Sequence, residues 1–111
     1  MATAPRDERN LDAARRRVIE AVRAFPFAES PVAQQLQSLA PKYEIEGIEI
    51  EPEGVIISGD SFRGAMNLYV LLAFPDGLES AEAFLGHFEG TFQGDEPAIT
   101  RVELKLGSFF A

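Results

Sequence analysis

The chain has no cysteine among its 111 residues. Disulfides, thiolate metal sites, iron–sulfur clusters and a thiol nucleophile are therefore excluded, and the absence fits a reducing compartment. Histidine is nearly as scarce: His87 stands alone, with no second imidazole to share a metal or a proton. Long apolar runs are missing too. The nearest, "AMNLYVLLAF" at 65–74, is about half the roughly 20 residues a membrane-spanning helix needs. The opening "MATAPRDERNLDAARRR" holds no apolar segment of the kind a secretory signal carries, so a cytoplasmic protein is expected.

Basic residues are few, ten against eighteen acids, for a net charge of −8. They are also unevenly placed. Residues 1–25 hold six arginines and four acids, a net +2, whereas residues 26–111 hold four bases and fourteen acids, a net −10. An acidic body repels phosphate, so nucleic-acid binding is not expected. Arg15, Arg16 and Arg17 do not reverse this, because three consecutive helical residues face three directions. The same charge suits a cationic partner.

The length fits one domain, with residues 1–8 as a flexible tail and 9–111 as a single fold. Leu11, Ala14, Val18, Ala21, Val22 and Phe25 recur at helical spacing, and Pro26 ends that helix. Glu20 is placed to pair with Arg16 and Arg23 along it. "ESPVAQQLQSLAP" predicts a second helix, with Ser30 as cap, Pro31 in the first turn, Val32, Leu36 and Leu39 inward, and Pro41 as stop. Phe25 and Phe27 anchor the corner between them.

From Lys42 the period changes to two. Tyr43 and Ile45 are odd and Ile48 and Ile50 even, so one continuous apolar face requires a bulge at Gly47. "EPEG" reads as a turn and "VIISG" as a returning strand, which makes 43–58 a hairpin. Gly59-Asp60 reads as turn chemistry; no parallel βαβ pattern surrounds "SGDSF" to make a nucleophile motif of it. Residues 62–74 form the longest strand, apolar or Gly at every even position and mixed at the odd ones, and suit a central place. Phe84, Gly86, Phe88, Gly90 and Phe92 alternate large and small on one face of a further strand, preceded at most by a helical turn near "LESAEA". "QGDEP" is a turn. The last strand places Val102, Leu104 and Leu106 inward, before "SFFA". The expected fold is α+β in two layers: two N-terminal helices on a mostly antiparallel meander of about five strands.

Two candidate sites follow, neither with a catalytic, metal or cofactor set. Glu44, Glu46, Glu49, Glu51 and Glu53 form an acidic ridge on the expected hairpin. Alternation spreads these carboxylates in steps of about 3.3 Å rather than converging them on a cation, so they suit docking to a basic protein. The second site is the face of the sheet opposite the helices, carrying Arg63, Asn67, Tyr69, Leu71, His87, Glu89 and Arg101. There His87 has the chemistry of a general base with Glu89 two residues along, or is one surface residue among others. The expectation that follows is a small acidic, non-enzymatic module (inhibitor, immunity or accessory protein) that binds a protein partner or itself. The alternative is a small-ligand domain or minor enzyme around His87.

Overall fold

In a computed structural model, which describes residues 8–106, the first apolar stripe becomes helix α1 (Glu8–Arg23). The tail expected at 1–8 falls outside the described residues except at Glu8, where α1 begins, and so does the closing "SFFA". Ala14, Val18 and Val22 are buried, as helical spacing requires of one face. Among the described residues the ion pairs of α1 do not run through Glu20. They are Arg15–Asp12 at 3.9 Å and Arg17–Asp95 at 4.0 Å, each with a well-exposed partner and worth little to stability.

The chain turns at Phe25 and Phe27, whose rings meet edge to face at 5.1 Å. Helix α2 (Pro31–Gln37) then starts where the sequence puts it: the Ser30 hydroxyl accepts from the Val32 N–H at 3.2 Å. It ends earlier than Pro41, with Ser38 at its C-terminal boundary.

Five antiparallel strands follow: β1 (Lys42–Glu49), β2 (Ile56–Ser58), β3 (Ser61–Ala73), β4 (Glu79–Gln93) and β5 (Glu96–Leu104). Their order is β1-β3-β4-β5, with β2 also on β3. β3 is central, and all of its 13 residues pair with β4. The fold is therefore α+β in two layers, helices on one face of the sheet.

The expected bulge is present, the register slipping between Ile45 and Gly47. Three other expectations change. Residues 43–58 are not a hairpin: β1 pairs with Asn67–Ala73 and β2 with Ser61–Arg63, so the two lie end to end along one edge of β3. Between them Ile50 and Val55 drop into the core, and the Arg15 Nε donates to the Val55 carbonyl at 3.1 Å. The hairpin is instead β2–β3, turning at Gly59-Asp60 with Gly59 at φ +60°. Second, residues 79–83 are strand, not a helical turn, because β3 offers them a partner at every position. Third, the 93–97 turn tightens to Gly94-Asp95, with Gly94 at φ +66° and Gln93 opposite Glu96.

The core lies between the helices and the even-numbered face of β3 and β4. Phe62, Met66, Leu68, Val70, Leu72, Phe84, Phe88 and Phe92 meet Val18, Val22, Val32 and Leu36, with Val102 and Leu104 from β5. Among the described residues none of the buried ones is polar or charged. At the outer edge of β5 the Gln35 side chain takes the place of a further strand. Its Nε2 donates to the Leu104 carbonyl at 2.9 Å, and its Oε1 accepts from the Leu104 N–H at 3.0 Å.

Candidate functional site

Because the helices occupy the even face, every odd position of β3 from Arg63 to Ala73 points the other way, and strand pairing arranges these side chains in rows. Arg63 faces Glu89, which in turn faces Arg101. Ala65 faces His87, which faces Glu103. Next come Glu49, Asn67 and Leu85; then Gly47, Tyr69 and Ala83; then Glu44, Leu71 and Ala81; and last Lys42, Ala73 and Glu79. The open face thus brings together all seven residues expected on it: Arg63, Asn67, Tyr69, Leu71, His87, Glu89 and Arg101.

Its two halves differ in chemistry. Around His87 opposite charges alternate, with Arg101 and Glu103 at 3.5 Å and both well exposed. Among the described residues no hydrogen bond joins His87 to Glu89; the Glu89 carbonyl instead accepts from the Thr100 hydroxyl at 3.2 Å, where the β4–β5 register slips between Glu89 and Gly90. Two shallow depressions adjoin here, of about 500 Å³ and 380 Å³, sharing Ile56, Arg63 and Glu89 and with His87 on the wall of the second. Ile56, half exposed on β2, closes this end and was not among the residues expected. Its only signal in the sequence is parity with Arg63 once the β2–β3 turn is known.

The other half is apolar. Tyr69, Leu71, Ala73, Ala81, Ala83 and Leu85 form one strip, and Tyr69 and Leu85 keep 40% and 45% of their surface exposed. Ala81 and Ala83 of β4 were missed as site residues because a helical turn was expected near 79–83. The Tyr69 hydroxyl donates to the Glu49 Oε1 at 3.1 Å. That hydrogen bond, the Glu49 charge and partial desolvation all raise its pKa above the ordinary 10.0.

The acidic ridge is spread differently from the hairpin expected. Glu44 and Glu49 border the strip from the edge strand β1; Glu46 sits at its bulge; Glu51 and Glu53 belong to the turn before β2. All five are exposed, and acids along an edge strand oppose pairing with further strands. Among the described residues no three His, Asp or Glu side chains are grouped to hold a metal ion, and no helix is long and apolar enough to cross a membrane. Compared with protein-family models, curated proteins and solved structures, the chain matches none of them.

Proposed function

We propose that the protein is a small acidic, non-enzymatic interaction module that binds a protein partner through the open face of its sheet. The observation that carries this reading is the strip of Tyr69, Leu71, Ala73, Ala81, Ala83 and Leu85 on a face whose other half carries Arg63, His87, Glu89, Arg101 and Glu103. Burying a leucine is worth about 1.5–3 kcal/mol. A contiguous apolar strip left in water is therefore where this surface has most to gain from a partner. The surrounding charges then act as a polar rim that selects the partner. A cytoplasmic setting goes with this reading and is checked by fractionation.

A second reading rests on the depressions beside His87. There Arg63 would hold an anionic group of a small ligand, with His87 and Glu89 as polar neighbours. The two are separated by one experiment: affinity capture with the wild type and with Leu85→Lys and His87→Ala variants, each verified as folded. Loss of the captured protein from Leu85→Lys alone supports the partner-binding reading. Retention by Leu85→Lys refutes it.

A further inference from the structure

We infer that the partner element seated on the open face is a cationic amphipathic helix, lying along β3 and β4; this rests on the reading of that face as a docking surface. The strip runs from the Asn67–Leu85 row to the Ala73–Glu79 row. Six residue steps of about 3.4 Å make it about 20 Å long, and together with its β1 border it spans two strand spacings, about 10 Å. A helix is about 10 Å across and covers 20 Å in about 13 residues. The floor suits one: Ala81 and Ala83 on β4 are small enough for a helix to approach closely, with the taller Leu71 and Tyr69 across from them on β3 and Leu85 at one end.

Area and charge argue against a second copy. The strip offers on the order of 200 Å², against about 800 Å² per partner in a standard stable interface, so it suits a weak, transient contact with a short segment rather than a stable dimer. Self-association also sets an acidic surface against itself, residues 26–111 carrying a net −10. Charge favours a basic occupant instead. Of the described residues bordering the strip, Glu44, Glu49 and Glu79 are acidic and Lys42 and Lys105 are basic; Lys105 stands beside Leu85 on the far side from β1, so the acidic flank is the β1 side, with Glu44 and Glu49. A helix with leucines at i, i+3, i+4 and i+7 along the strip places flanking Lys or Arg over Glu44 and Glu49.

The probe is a synthetic peptide of about 13 residues with a leucine stripe and lysine flanks, titrated into the full-length protein and followed by amide chemical shifts. A glutamate-flanked version serves as control. Shifts are expected at Leu71, Ala81, Ala83 and Leu85, with at least tenfold weaker binding of the glutamate-flanked peptide. Glu44→Gln with Glu49→Gln is expected to narrow that gap, and Ala83→Lys to abolish binding in a folded protein. Equal binding of both peptides, or shifts confined to the helices, would overturn the inference. So would a dimer in sedimentation that Ala83→Lys dissolves, since the occupant would then be a second copy. A captured partner that Leu85→Lys loses but the lysine peptide fails to displace refutes the helix while leaving the docking face intact. A partner that still binds Leu85→Lys removes the docking face itself.

Discussion

Replacing Gly90 with alanine tests the sheet where it is tightest. A Cβ at this position would lie 2.1 Å from the Ala98 carbonyl oxygen and 2.5 Å from the Phe62 ring. The ring has little room to yield, packed at 5.2 Å from Phe92 and 6.4 Å from Phe88. The carbonyl is backbone and moves only if β5 moves, just where its register slips opposite Glu89 and Gly90. Overpacking of this kind costs about 1–3 kcal/mol, and a clash with backbone belongs at the upper end. The conformational gain of replacing glycine, about 0.4–1 kcal/mol, does not offset it. At about 4–8 °C per kcal/mol for a domain of this size, the net loss of about 2 kcal/mol lowers Tm by roughly 8–16 °C. Thermal and urea unfolding followed by circular dichroism measure it, and Gly90→Val should be worse. Gly54→Ala is the control, since its new methyl meets only the Glu51 Cβ at 3.9 Å, and its Tm should hold or rise slightly. A Gly90→Ala protein as stable as the wild type would refute the packing of β4 against β5 described above.

Gln35→Leu should cost about 1–3 kcal/mol, because it leaves the Leu104 N–H and carbonyl unpartnered on a partly covered edge; Gln35→Glu, which accepts but cannot donate, should recover part of the loss in urea unfolding. In a Tyr43→Phe background, absorbance titration should place Tyr69 above 10.0 and Glu49→Gln should lower it. Because the folded value is the higher one, the stability this hydroxyl contributes is complete below pH 10 and is lost as pH rises through the folded value; a Tyr69 titrating at or below 10.0 would contradict the Glu49 contact. His87→Ala, at an exposed position, should change stability by no more than about 0.5 kcal/mol and leave partner capture intact. Loss of capture with unchanged melting would move the site to the His87 half of the face.

Most of the fold was legible because its signals are local. The phase slip at Gly47 announces a bulge, Ser30-Pro31 announces a helix start, and the Phe-Gly alternation from 84 to 92 announces a strand with close neighbours. The face of each open-side residue followed from parity alone, which is why Arg63, Asn67, Tyr69, Leu71, His87, Glu89 and Arg101 do share a surface. What failed depended on distant partners. "LESAEA" favours helix by composition, and only the length of β3 overrides it. Residues 43–58 look like a hairpin until β3 is seen to take both arms on the same edge. Apolar Ala81 and Ala83 carry no signal of their own and gain meaning only beside Tyr69 and Leu71.

The Gln35 amide on Leu104 also bears on how this protein would fail. A sheet edge invites growth by any strand of another molecule, and the device that discourages it here is mounted on the helical layer. Detachment of α2, a seven-residue helix, would uncover that edge and the phenylalanine-lined core together. Aggregation should therefore begin from a state in which the helices have lifted while the sheet persists, and its onset should follow the opening of α2 rather than global unfolding.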